Sequence, residues 1–89
     1  MAEPNLDELK NKLSKLSWPM IYMFKFIVPS DNQKIALVES LFDDGAEVKH
    51  QPSEHGKYIS ITARQVMLSP DNVIEIYRKA SYVEGIISL

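Results

Sequence analysis

The side chains best suited to chemistry in this 89-residue chain form a polar row along one predicted strand. Residues 56–64 alternate between polar and apolar, as the side chains of a half-buried strand do. The polar row consists of Tyr58, Ser60, Thr62 and Arg64. A hydroxyl nucleophile needs a base within hydrogen-bond reach, and nothing in the pattern brings His50 or His55 to Ser60 or Thr62. We therefore expect no catalytic residues and no enzyme.

The two histidines do not predict a metal site. His50 and His55 lie on either side of a predicted turn, whereas metal ligands converge at fixed spacing, such as two histidines one helical turn apart. The chain has no cysteine, which excludes disulfides, iron–sulfur clusters and cysteine-based zinc sites. We expect no metal and no other cofactor.

The polar row is better suited to binding a ligand than to catalysis. Lys25 on a neighbouring strand, next to Met23, could join Tyr58 and Arg64 in a platform for a small anion such as phosphate. The alternative is that the basic stems pack across apolar neighbours. RNA-recognition domains stack bases on aromatic residues from both central strands, and here only Tyr58 is available. Nucleic acid is therefore not an expected partner, and a small ligand or RNA stays the alternative function.

The composition is that of one small globular domain. Hydrophobic residues make up 45% and charged residues 25% of the chain, both ordinary values. The net charge of -2 argues against general binding to nucleic acids or anionic membranes. No apolar run approaches the roughly 20 residues of a membrane span, and the first residues do not resemble a signal peptide. We expect a cytoplasmic protein with no membrane partner.

The first predicted element is an amphipathic helix over residues 5–16, with Asn5 and Glu8 as its capping box. With its lead-in it forms a first segment, residues 1–17. Its apolar stripe consists of Leu6, Leu9, Leu13 and Leu16. A helix this short is marginal alone, so the stripe must dock, either on the open sheet face of its own domain or on another chain.

Two strand–helix–strand units follow in residues 18–89. The first begins with a strand over residues 20–28 and ends with an edge strand over residues 46–51. Between them lies a helix that runs from a capping box of Ser30 and Gln33 to about Asp44, with Gly45 as its left-handed C-terminal cap. The second has the strand of residues 56–64, a helix that begins at Ser69–Pro70, and a last strand over residues 82–89. Three residues of the last strand are expected to point inward: Val83, Ile87 and Leu89.

This order predicts an α+β fold, a ferredoxin-like βαββαβ sandwich over residues 18–89. Its four-stranded antiparallel sheet would carry two helices on one face, with the first and third strands in the centre. The other face would be half apolar and would have no third layer. Exposed patches of this kind mark interaction sites, so we expect a partner protein or a second copy of the chain there.

Several short segments resemble the YbeD-like bacterial proteins of unknown function. Trp18-Pro19 and residues 22–26 resemble their FP…Y-K-V opening, residues 53–62 resemble their S-x-x-G-x-Y-x-S-x-T hairpin, and Ile76-Tyr77 and residues 85–89 also match. The resemblance covers about residues 17–89. It implies a ferredoxin-like fold akin to ACT-type regulatory domains, no established catalytic residues, and a regulatory or interaction role.

One departure concerns the turn after the first strand. ACT domains that bind amino acids usually have a glycine there, and this chain has none in residues 29–32. The departure argues against amino-acid sensing at that turn. The expectation from the sequence is thus a small, non-enzymatic regulatory or protein-interaction module.

Overall fold

The computed structural model describes residues 6–89, which form three helices and one four-stranded antiparallel sheet. The elements, in chain order, are α1 (Leu6–Leu13), β1 (Met20–Pro29), α2 (Asn32–Glu39), β2 (Glu47–Pro52), β3 (Tyr58–Met67), α3 (Pro70–Ala80) and β4 (Ile87–Ser88). The strand order is β2-β3-β1-β4, which places β1 and β3 in the centre. The predicted α+β fold with an antiparallel sheet is confirmed.

The long central pair, β1 and β3, organises the core. The two strands pair from Met20 opposite Met67 to Pro29 opposite Tyr58 without a bulge. Their inward side chains are fully or almost fully buried: Phe24, Phe26, Val28, Ile61, Ala63 and Met67. The ring of Phe24 lies 5.4 Å from the rings of both Phe42 and Tyr77, measured between centroids. Aromatic contacts therefore bind the sheet to α3 and to the segment after α2.

The first helix packs on the helical side of the sheet. Leu13 is buried in the core, and the ammonium of Lys10 lies 2.8 Å from the carboxylate of Asp71 at the start of α3. Of the two alternatives for the leucine stripe, docking on its own domain is the one found, but the predicted place of docking, the open sheet face, is wrong. The helix also ends at Leu13, so Leu16 lies beyond it and is exposed. The predicted cap, Asn5, lies outside the described residues.

The second helix differs from its prediction at both ends. Its N-cap is Asp31, not Ser30, because the Asp31 carboxylate accepts hydrogen bonds from the backbone N–H groups of Gln33 and Lys34 at 2.8 and 3.3 Å. The helix ends at Glu39, and tight backbone turns follow it. Gly45 is not in the left-handed conformation, so its predicted role as a cap is wrong.

The apolar pattern extends past the end of this helix for a packing reason. Leu41 and Phe42 are half-buried against the core although they lie in the turns after α2. The sequence therefore predicted one further turn of helix from the spacing of these apolar residues, although the backbone leaves the helix at Glu39.

The third helix begins as predicted. The Ser69 hydroxyl accepts a hydrogen bond from the backbone N–H of Asn72 at 3.3 Å, and Pro70 occupies the first turn. Its apolar stripe is buried and includes Val73, Ile76, Tyr77 and Ala80.

The end of the chain forms a turn and a two-residue strand instead of the long strand that the sequence predicted. Val83 is buried as expected, but the next inward residue is Ile86, while Ile87 and Leu89 are 41% and 64% exposed. Gly85 causes the difference, because its positive φ of 81° turns the backbone within residues 81–86. A Cβ at Gly85 would lie 2.9 Å from Cγ of Pro29, so this turn also packs tightly on β1.

Substitution of Ile86 and Ile87 tests which residue of this last segment points into the core. Ile86→Ala should lower the free energy of unfolding by about 2–5 kcal/mol, since it empties a fully buried site. Ile87→Ala, the matched control on the exposed side, should cost less than about 1 kcal/mol. Urea denaturation of both variants measures the difference. Equal losses, or a larger loss for Ile87→Ala, would show that the register is wrong.

Candidate functional site

The sheet face that points away from the helices carries the predicted site residues in rows across the strands. Directly paired residues project on the same side of a sheet. Five such rows follow from the pairing: Val66–Ile21, Glu47–Arg64–Met23, Lys49–Thr62–Lys25, Gln51–Ser60–Ile27–Ile87 and Tyr58–Pro29. We call this surface the open face. It has an apolar end at the first row and a polar centre at the third.

The apolar end consists of large apolar side chains that are exposed and adjacent. Ile21 and Val66 lie opposite one another, and Met23 is the next outward residue on β1. Their exposed fractions are 57%, 58% and 59%. Leu68, just after β3, is exposed as well. Contiguous exposed apolar residues of this kind favour contact with another molecule.

The polar centre forms a shallow depression with a volume of about 540 Å³. Its lining consists of Lys25, Lys49, His50, Gln51, Ser60 and Thr62. Ser60 and Thr62 are half-buried residues, and their hydroxyls make no hydrogen bond within residues 6–89. Lys25 likewise has no carboxylate within ion-pairing distance in the described part of the chain. The depression thus holds a cation and two hydroxyls that have no partner among those residues.

The residues of the predicted anion platform lie in different rows. Lys25 lies opposite Thr62, Arg64 lies opposite Glu47 and Met23, and Tyr58 lies opposite Pro29 at the far end of β3. At about 3.3 Å per residue, Tyr58 is about 13 Å along the strand from Thr62.

Sequence reasoning missed Lys49, which the structure places on the other side of Thr62 from Lys25. The alternation of Glu47, Lys49 and Gln51 indicated its outward direction, but only the pairing register of β2 with β3 brings it to Thr62.

The histidines separate into two environments. His50 borders the depression, but its Nε2 lies 3.4 Å from Oε2 of Glu39 on α2, and no hydrogen bond joins His50 to Ser60 or Thr62. His55 is exposed in the turn between β2 and β3. Within residues 6–89, no three His, Cys, Asp or Glu side chains are grouped so that they could hold a metal ion.

The leucine stripe of α1 borders a second concavity, on the helical side of the sheet. This groove has a volume of about 320 Å³ and is lined in part by Leu9, Tyr22, Tyr77 and Leu89. Leu6 and Leu9 are half-buried against the core. The Tyr22 and Tyr77 hydroxyls lie 3.1 Å apart and share a hydrogen bond. Sequence analysis did not pair these tyrosines, because they are far apart in the chain and meet only through the packing of α3 on β1.

The paired tyrosines make stability sensitive to alkaline pH. Burial, together with the hydrogen bond to Tyr22, raises the pKa of the Tyr77 hydroxyl well above its ordinary value of 10.0. The folded protein therefore keeps this proton at a pH where the unfolded chain loses it. The contribution to stability is complete below pH 10 and falls as the pH rises through and beyond it.

Substitution of Tyr77 tests this linkage. In Tyr77→Phe, the free energy of unfolding should fall less steeply above pH 10 than in the wild type, because the raised pKa has been removed. At neutral pH the variant should lose about 1 kcal/mol with the hydrogen bond. Tyr82→Phe is the control, since Tyr82 is 84% exposed. Urea denaturation between pH 7 and 11 measures the slopes; identical slopes for all three proteins would refute the linkage.

The fold places this protein in the class of α+β domains that have one layer of helices and one open antiparallel sheet face. A family model then matches residues 13–88 and describes a protein of unknown function, DUF493. The chain belongs to this family. No curated protein and no solved structure matches it. Among the described residues, no helix combines the length and the apolar character needed to cross a membrane.

Proposed function

We propose that this chain is a non-enzymatic module of regulatory type that binds a partner protein through the open face of its sheet. The observation that carries the proposal is the apolar end of that face. Ile21, Met23 and Val66 lie side by side on the two central strands, and each is more than half exposed. Burial of such side chains in a partner would contribute about 25 cal/mol for each Å² removed from water.

The position of α1 supports the same proposal. The one described segment outside the two strand–helix–strand units packs on the helical side of the sheet. Nothing within residues 6–89 therefore lies over the apolar end. Charged residues border that end, with Arg64 opposite Met23 and Glu47 opposite Arg64. An apolar centre beside a polar rim is the usual anatomy of a protein interface.

The arrangement of strands and helices supports a more specific fold for the domain. We assign the domain to the ferredoxin-like sandwiches, and the strand order β2-β3-β1-β4 with helices on one side supports this. The resemblance to YbeD-like proteins and ACT-type regulatory domains supports a regulatory role, and the cysteine-free composition is in keeping with the cytoplasm. RNA receives less support, because the outward residues of β1 include no aromatic side chain to join Tyr58.

A charge placed on the apolar end should weaken partner binding strongly. The test uses tagged protein in lysate of the native organism, with mass spectrometry of what is captured. The double variant Met23→Asp/Val66→Asp should reduce capture of the specific partner roughly tenfold or more, as expected at the centre of an interface. The matched control is Leu37→Asp on α2, since Leu37 is 55% exposed and lies on the other side of the molecule. Circular dichroism checks that all three proteins are folded.

The outcomes separate the possible occupants of the face. A partner lost from the double variant and retained by Leu37→Asp supports the proposal. Sedimentation velocity of the purified chain shows whether the occupant is instead a second copy, in which case the double variant becomes monomeric. If the wild type captures the same proteins as the double variant, and both are monomeric, the proposal fails.

A further inference from the structure

The central row of the open face brings two lysines to either side of one threonine. Lys49 and Lys25 lie directly opposite Thr62 on the two neighbouring strands. Adjacent strands are about 4.8 Å apart, so the two lysine Cα atoms are about 10 Å apart on the same sheet face. Flexible four-carbon stems allow both ammonium groups to approach one group above Thr62. Ser60, the next outward residue on β3, adds a second hydroxyl to the same depression.

Competition from the protein's own carboxylates is weak in this depression. No carboxylate lies within ion-pairing distance of Lys25 in residues 6–89. Lys49 lies 3.4 Å from Oε1 of Glu47, but the two side chains are 76% and 58% exposed. Exposed pairs of this kind contribute little and are easily exchanged for another partner. Ser60 and Thr62 also have their hydroxyl protons free of any hydrogen bond within the described residues.

We propose that this depression binds a phosphate group, held by the ammonium groups of Lys25 and Lys49 above the hydroxyls of Ser60 and Thr62. A phosphate monoester carries about -1.5 to -2 charges and three acceptor oxygens. It matches two cations and two hydroxyl donors in charge and in hydrogen-bonding capacity. The depression, at about 540 Å³, is large enough for the phosphate and part of the molecule that carries it.

The donors favour phosphate over a carboxylate. Lysine binds either anion as a point charge, so the charge of the anion decides. Two ammonium groups match the roughly -1.5 to -2 charges and three acceptor oxygens of a phosphate monoester, whereas a carboxylate offers one charge and two oxygens. Arg64 lies in the next row, where Glu47 stands opposite it. The lysine row therefore supplies two cations and two hydroxyls at one place, which a phosphate group uses more fully than a carboxylate.

Two sources could supply this phosphate: a phosphorylated small molecule or a phosphorylated side chain of a protein. The chemistry at the row is the same for both. The proposal does not depend on the proposed function, because its residues occupy the polar centre of the open face and not its apolar end.

The experiment is a titration of the full chain, followed by two-dimensional amide NMR at constant ionic strength. Inorganic phosphate is the first probe. The amide signals of Lys25, Lys49 and Thr62 should shift along a saturating curve. Lys25→Gln/Lys49→Gln should weaken the binding by roughly tenfold or more, because charge-assisted hydrogen bonds are lost. Thr62→Val should weaken it less.

The matched control is Lys15→Gln/Lys79→Gln, which makes the same change in net charge with two exposed lysines away from the sheet. This control should bind phosphate as the wild type does. Non-saturating shifts in the wild type, equal affinity in the Lys25/Lys49 variant, or an equal loss in the control variant would each overturn the proposal. Dispersed amide spectra verify that every variant is folded.

A second pair of probes identifies the source. A phosphoserine peptide that binds more tightly than inorganic phosphate, while its unphosphorylated form does not bind, points to a phosphorylated protein. A phosphopeptide that binds no more tightly than inorganic phosphate points to a small molecule. In both cases the Lys25/Lys49 variant must lose the binding, because the phosphate contacts are the same.

Discussion

The pairing of β1 with β3 is the constraint on which the rest of the structure depends. Ten residue pairs in unbroken register divide every side chain of these strands between two faces. One face receives the fully buried residues Phe24, Phe26 and Ile61. A shift of one residue would send these side chains into water, so the register is strongly specified. The helices must cover that face, and the other face is defined by the same pairing.

The first helix makes this division sharper. A third layer on the open face would have given an ordinary buried sheet, but α1 joins α3 on the side that is already covered. The open face thus keeps two distinct regions on its central strands. Ile21, Met23 and Val66 offer apolar contact area, and the row of Lys25, Thr62 and Lys49 offers charge and hydroxyl donors. The two regions have different chemistry and can be disabled separately.

Much of the fold could be read from local patterns. Alternation located the central strands and identified the outward polar row of β3, and Ser69–Pro70 located the start of α3, because these signals act within a few residues. One error arose where two local solutions compete. Ser30 and Asp31 are both good caps, and only the backbone that leaves β1 decides between them.

The site could be predicted only in part, because it depends on pairing between distant segments. The outward direction of Lys25 and Thr62 follows from alternation within each strand. The proximity of Lys49 depends on the register of β2, which no single-strand pattern contains. The side of the sheet on which α1 packs could not be predicted either. A leucine stripe indicates that one face of a helix is buried, but it does not indicate which surface covers that face.

The central claim is that one face of the sheet is covered by helices and the other is open, and two methionines on the central strands test it directly. Met23 on the open face is 59% exposed, whereas Met67 on the helical face is 4% exposed. Brief treatment of the dilute, folded protein with hydrogen peroxide, followed by digestion and mass spectrometry, measures sulfoxide formation at each position. The account predicts that Met23 is oxidised about tenfold faster than Met67, since oxidation of a native protein follows access to the sulfur. Equal protection of the two methionines would contradict it, because the open face would then be covered.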